Sequence, residues 1–315
     1  MKKPTVIVIC GPTASGKTAL SIELAKKIGG EIISADSMQI YQDMNIGSAK
    51  VTKEEMQDIK HYLVDFLSPE ERYSVADFKK DAKKAIEEII SKKKIPIIVG
   101  GTGLYVDSLI YEIDYQEIPV DEDYRNELQQ IEKEEGLEVL YQKACEIDSE
   151  AMKKISPKDS KRIIRVLEIY HATGKTKTQQ EKESRKKEIP YHYKVFVLSM
   201  DREILYDRIN RRVDKMIEIG LIEEVKELLQ KYKKFPTAMQ ALGYKEVKEY
   251  LDGEISKKEM IEKIKQESRR YAKRQLTWFR KDKNFIWLDG LISAKENVDI
   301  ILEESAIEEE SKTKE

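Results

Sequence analysis

Residues Gly11-Pro12-Thr13-Ala14-Ser15-Gly16-Lys17-Thr18 stand between a short β-branched apolar run, Thr5–Cys10, and a segment of helical apolar spacing, 19–28. A G-x-x-x-x-G-K-[ST] loop in that setting turns successive backbone N–H groups onto phosphate oxygens. The lysine adds a point charge and the final hydroxyl can hold Mg²⁺. The motif constrains the fold as strongly as the chemistry, because it requires a strand, the loop and then a helix at the carboxyl edge of a parallel sheet. The sequence elsewhere agrees. Glu31–Ser34 reads as a second strand, 75–91 as an amphipathic helix, and 95–99 (IPIIV) as a buried strand that runs into Gly100-Gly101.

From about residue 113 to 190 strand signals vanish into Lys/Glu-rich helix, including 160–171. A buried strand returns at 194–200, followed by helices over 202–231 and a last strand at 285–288. The expected architecture is α/β: a P-loop NTPase-like parallel sheet core from residues 1–112 and 193–302, a helical insertion at 113–192, and an acidic disordered tail at 303–315.

Of the 315 residues, 37% are charged, far above the usual quarter or so, yet the formal net charge is −2. The balance is local. Residues 153–187 hold twelve Lys/Arg against four acids, and 263–283 hold nine against two. Such blocks are either surfaces for a polyanion or solvated helix faces. No apolar run approaches the roughly 20 residues of a membrane helix, and MKKPTVIVICGPT passes straight into a strand pattern, so a cytoplasmic protein is expected. Two cysteines, Cys10 and Cys145, are too few for a disulfide framework, and the three histidines show no metal spacing.

P-loop kinases and ATPases usually carry a second strand that ends in a metal-holding acid. Here the strand at 95–99 ends instead in GGTGLY, residues 100–105. Glycines and a threonine there bring backbone donors and a hydroxyl close to an anion, or else form a tight turn without a ligand. After the second strand comes SADSMQIY, 34–41, with Asp36 on the same edge. That acid is a metal ligand, the cap of a short turn, or a general base; taken alone, the cap is favoured.

With GPTASGKT, SADSMQIY, GGTGLY, KRIIRVLEIY, RVDKMIEIGLIEEV, QALGYKE and RRYAKRQLTWFRK in order, residues 4 to 290 resemble the tRNA dimethylallyltransferases, the bacterial form most nearly. The resemblance implies transfer of a dimethylallyl group from dimethylallyl diphosphate to the exocyclic amine of the adenosine 3′ of the anticodon, in tRNAs reading codons that begin with U. It implies that the loop from Gly11 to Thr18, with Mg²⁺ on Thr18, Thr102 and Arg212, holds the departing diphosphate. Asp36 is matched to the proton acceptor, and Ser37, Met38 and Gln39 to contacts around the extruded base. The matched tRNA contacts are Thr102, Arg125, the run Lys161, Arg162, Ile163, Ile164 and Arg165, and the run Gln240, Ala241, Leu242, Gly243, Tyr244 and Lys245. By helical spacing Lys161, Arg162 and Arg165 share one flank while Ile163 and Ile164 face inward. Helix 269–280 interleaves cations with aromatics, and its Trp278 and Phe279 are expected to be mainly structural. The partners expected are the tRNA anticodon stem-loop and the allylic diphosphate, with a monomeric chain. A sister activity on free adenine nucleotides would need neither the basic blocks nor the insertion, a small-molecule kinase would want the missing acid, and a silent RNA-binding module would have no use for both Lys17 and Asp36.

Overall fold

The computed structural model describes residues 3–113, 115, 121–184 and 188–306. By contact density the chain divides into two compact units, Met1–Val106 with Pro190–Glu315, and Asp107–Ile189.

In the first unit the chain order is β1 (Thr5–Cys10), α1 (Lys17–Ile28), β2 (Gly30–Ser34), α2 (Lys53–Met56), β3 (His61–Tyr62), α3 (Val75–Ser91) and β4 (Ile95–Gly100), leading into α4 (Gly103–Ile110). The second unit follows with α5 (Glu122–Glu135), α6 (Leu137–Ile147), α7 (Ser149–Met152), α8 (Ser160–Thr173) and α9 (Lys177–Ser184). The chain then rejoins the first unit through β5 (His192–Ser199), α10 (Arg202–Glu218), α11 (Leu221–Lys231), α12 (Tyr244–Leu251), α13 (Lys257–Phe279), β6 (Ile286–Asp289) and α14 (Ala294–Ser305).

The six strands form one all-parallel sheet in the order β3-β2-β4-β1-β5-β6. Ile7, Ile9, Ile32, Ile97, Phe196 and Leu198 pack on one face with α1 and α14. Their alternates Val6, Val8, Ile33, Ile98 and Val197 are also buried, as expected for a parallel sheet covered on both faces, and for that reason the strands read as unbroken apolar runs. Register sets Cys10 opposite Gly100 on one side and opposite Val197 on the other, while Ser34 faces Val99. The loop after β1, the turn after β4 and the segment after β2 therefore leave the sheet at one carboxyl edge.

The two-residue β3 carries too short a pattern to be read from sequence. The strand at 194–200 starts earlier, at His192, and so takes a residue assigned to the insertion. Glu303, Glu304 and Ser305 close α14 rather than beginning a disordered tail, since Ile301 and Ser305 are buried on that helix. The remainder of the expected tail, 307–315, lies outside the described residues.

The second unit has its own core, with Leu128, Leu140, Ala144, Met152, Ile163, Ile164, Val166 and Leu167 buried between its helices. Asp121, Asp148 and Asp159 accept backbone N–H groups at the starts of α5, α7 and α8. Among the described residues no helix is long and apolar enough to cross a membrane.

Candidate active site

The loop after β1 is shaped by three left-handed residues. Gly11 (φ 144°) and Gly16 (φ 95°) need glycine's freedom, and a Cβ on Gly11 would lie 2.8 Å from the Leu198 carbonyl oxygen. Ala14 adopts φ 63° without that freedom, a conformation that costs about 1–2 kcal/mol. Gly16 caps α1 with no side-chain partner, so the first amides of the helix remain available to an anion. Ser15 Oγ is buried and has no hydrogen-bond partner, which marks a donor suited to a ligand oxygen. Thr18 is exposed at the mouth of the cradle.

Lys17 Nζ donates to the Pro12 carbonyl at 2.7 Å and so folds back over the loop. Burial pulls its pKa down to about 8, Arg212 pushes the same way, and Asp36 and Cys10 oppose. Arg212 Nη1 donates to Thr13 Oγ1 at 3.4 Å; burial lowers its pKa, with Asp36 acting against the shift. Two crowded cations thus share the loop, each within the electrostatic reach of Asp36.

Asp36 Oδ1 accepts the N–H groups of Met38 (2.8 Å) and Gln39 (3.3 Å). The cap of a short turn, one of its three sequence readings, is therefore realised. Its second oxygen carries no hydrogen bond from the described residues. Ser37 N–H donates to Thr102 Oγ1 at 3.1 Å, which joins the acid's segment to the turn after β4.

The glycines at the end of β4 and in the turn after it are closely packed: a Cβ on Gly100 would lie 2.1 Å from the Ala35 carbonyl oxygen, one on Gly101 2.1 Å from Gln275 Nε2, and one on Gly103 2.3 Å from Trp278 Cδ1. The Thr102 N–H is spent on the Ala35 carbonyl at 3.3 Å, and its hydroxyl donates to Ser37 Oγ at 3.4 Å.

The loop beyond Asp36 is tied from both sides. Gln39 Nε2 donates to the carbonyls of Ser48 (3.4 Å) and Ala49 (3.1 Å). Glu224 accepts the N–H groups of Asn45 (2.9 Å), Ile46 (2.7 Å) and Gly47 (3.1 Å) together with the Tyr244 hydroxyl (2.7 Å), and that hydroxyl in turn accepts Ser48 N–H at 3.2 Å. Tyr244 is fully buried and Ala241 nearly so. Both stand in the run matched to tRNA contact, yet their side chains lie in the interior: Tyr244 fastens this loop, and a Cβ on Gly47 would lie 2.4 Å from its ring. Gln240 and Lys245 are exposed, Leu242 is half-buried, and Gly243 begins α12 at φ 91°. Because Glu224 serves four donors, Glu224→Gln is expected to lower the unfolding free energy by about 1–3 kcal/mol. It should also release the Asn45 and Ile46 amides to fast hydrogen exchange, and an unchanged urea midpoint with unchanged exchange would contradict this reading.

In the second unit Lys161 and Arg162 are exposed on α8, whereas Ile163 and Ile164 lie in the core beneath them. The isoleucines of the matched run therefore turn their side chains into the core. Arg125 Nε donates to Glu168 Oε1 at 2.6 Å and Arg165 Nη1 to Glu168 Oε2 at 3.1 Å, so one buried carboxylate holds two guanidinium groups. Glu168, Glu224, Gln275 and Tyr271 carry no role in the sequence reading. Besides neighbours on their own helices, such as Arg165 for Glu168 and Gln275 for Tyr271, each has a partner remote in the chain, which no local spacing signals.

With this geometry in place, the chain can be compared with known proteins. A family model described as IPP transferase matches residues 39–282. The chain is 52% identical over 285 residues to a tRNA dimethylallyltransferase of Acetivibrio thermocellus, covering 90% of this chain and 91% of that one. It is 51% identical over 278 residues to one of Thermoanaerobacter sp., at 87% and 88% coverage. Among solved structures, a tRNA isopentenylpyrophosphate transferase from Bacillus halodurans has a TM-score of 0.72 at 43% identity, covering 97% of both chains. A eukaryotic dimethylallyltransferase acting on tRNA has a TM-score of 0.80 at 29% identity, covering 98% of this chain and 81% of that one.

Proposed function

Because the chain belongs to the IPP transferase family, whose model and relatives mark it as a prenyl-transferring enzyme, we propose that it moves a dimethylallyl group from dimethylallyl diphosphate to the N6 amine of the adenosine 3′ of the anticodon in tRNA, releasing diphosphate. The carrying observation is that Lys17 and Arg212, both crowded cations on the loop, share one edge of the sheet with the partly unbonded carboxylate of Asp36.

An allylic diphosphate ionises readily, so the protein's main work is to stabilise the leaving anion and to place the nucleophile in line. Lys17, Arg212, the free amides at the start of α1 and Ser15 Oγ are fixed before the substrate arrives and need no reorganisation as charge develops. As the C–N bond forms, the adenine amine becomes acidic, and the second oxygen of Asp36 takes its proton. The Mg²⁺ expected from the motif fits as an ion shared with the substrate. Among the described residues no group of three His, Cys, Asp or Glu could hold a metal, so Thr18 would be its protein ligand and diphosphate and water oxygens would complete the shell. When bound, such an ion neutralises charge on the departing diphosphate.

RNA binding is assigned to Lys161, Arg162, Arg165 and Arg125 in the second unit and to Gln240 and Lys245 in the first. Lys161→Ala with Arg165→Ala is expected to weaken tRNA binding and to make the slope of log affinity against log salt shallower by about 1.4–1.8, with diphosphate affinity unchanged. An unchanged slope would move the RNA surface elsewhere. The position of transfer is tested with an anticodon stem-loop carrying adenosine or guanosine 3′ of the anticodon. Transfer to the first alone supports the proposal, and equal transfer to both would overturn the assigned base.

A further inference from the structure

Gln275, on α13, is nearly fully buried and uses both ends of its carboxamide. Its Oε1 accepts the Thr13 N–H at 3.0 Å and its Nε2 donates to the Gly101 carbonyl at 3.0 Å. It therefore joins the diphosphate loop after β1 to the turn after β4. Glycine at 101 is what admits it, since a Cβ at that position would lie 2.1 Å from Nε2. One helical turn earlier Tyr271 interacts with Thr102 and Gln275 and lies in the field of Asp36. Thr102 in turn holds Ser37 N–H. A single helix thus supplies a connected row from Thr13 of the cradle, through Gln275 and Thr102, to the residue beside Asp36.

The orientation of the row matters for chemistry. By accepting the Thr13 N–H, Gln275 takes that amide out of competition for phosphate and fixes the Pro12–Thr13 peptide plane, one residue before Ala14, which turns left-handed. The same Thr13 presents its hydroxyl to Arg212 at 3.4 Å. Movement of Thr13 would displace both the loop amides and the arginine that faces them. We infer that Gln275 is a positioning residue that sets the diphosphate cradle in register with the turn carrying Thr102, and through it with the acceptor side of the site. The inference rests on the proposed reading of the cradle as the allylic diphosphate site.

The test compares the native chain with Gln275→Met, which keeps volume and loses both hydrogen bonds, and with Gln275→Glu, which keeps an acceptor but sets an oxygen against the Gly101 carbonyl. Calorimetric titration of inorganic diphosphate with Mg²⁺ is expected to show Kd raised about tenfold in each variant, the effect of roughly one net hydrogen bond. KM for dimethylallyl diphosphate should rise in step, with kcat changed less and tRNA affinity preserved. A structural role alone would lower Tm and the active fraction and leave KM in place. Folded variants with native diphosphate affinity would overturn the inference. Should neither variant fold, amide exchange in the native chain decides: a protected Thr13 N–H supports the clamp and an unprotected one refutes it. A native chain that binds no diphosphate would count against the function proposed above, while the Thr13 exchange would still decide the clamp.

Discussion

Turnover of Asp36→Ala is expected to fall by about 10²–10⁴-fold, the usual range for loss of a general base, with tRNA binding nearly intact. The substitution removes the turn cap together with the proposed proton acceptor. Oδ1 caps the turn at Met38 and Gln39, while the second oxygen has no donor among the described residues. Losing the cap costs about 1 kcal/mol and loosens the segment around the base. Asp36→Asn separates the two, since its carbonyl oxygen can keep the cap while the amide cannot accept the substrate's proton. A deficit nearly as large in Asp36→Asn as in Asp36→Ala assigns the loss to proton acceptance. Full activity in Asp36→Asn would show that the turn alone matters.

Lys17→Met is expected to lower kcat by about 10²–10³-fold, because a fixed charge aimed at a developing anion is lost. The same lysine predicts a pH response. Its pKa is brought down to about 8 by burial and by Arg212, so in the free chain the charge is lost as pH rises through that value, and diphosphate affinity should decline above it. The stability effect has the opposite sense. The unfolded chain keeps its proton up to the ordinary lysine value of 10.5, so between about 8 and 10.5 it binds more protons than the folded chain, and stability contributed by this group rises with pH. The full rise is on the order of 3 kcal/mol, and it should be absent from Lys17→Met. Thermal unfolding of both chains across that window checks the sign. Parallel profiles would mean that Lys17 is not perturbed.

What the sequence made legible is what depends on neighbours along the chain. The loop from Gly11 to Thr18, the helix at 75–91 and the strand before Gly100 each carry their signal within a dozen or so residues, and the structure has them where the pattern places them. The inward turn of Ile163 and Ile164 was likewise available from helical period, even though they stand inside a run matched to RNA contact. The clamps were not available. Gln275 meets Thr13 and Gly101, Glu224 meets Asn45 to Gly47, and Glu168 meets Arg125, each across a stretch of chain that only the fold closes. A glutamate on a charged helix looks the same whether it faces water or gathers four donors. Tyr244 misleads for the same reason, since its segment matches a surface role while packing draws its ring to the centre. Gly100, Gly101 and Gly103 read equally as an anion turn or a tight one, because their close contacts with Ala35, Gln275 and Trp278 exist only in the fold.

The central claim is tested most directly by offering labelled dimethylallyl diphosphate and Mg²⁺ to the purified chain with unmodified tRNA, with AMP or ATP, or with no acceptor. The account predicts label in tRNA alone. Label in free nucleotide would contradict the assignment of the acceptor, and label in neither, with phosphate released from ATP instead, would contradict the assignment of the reaction.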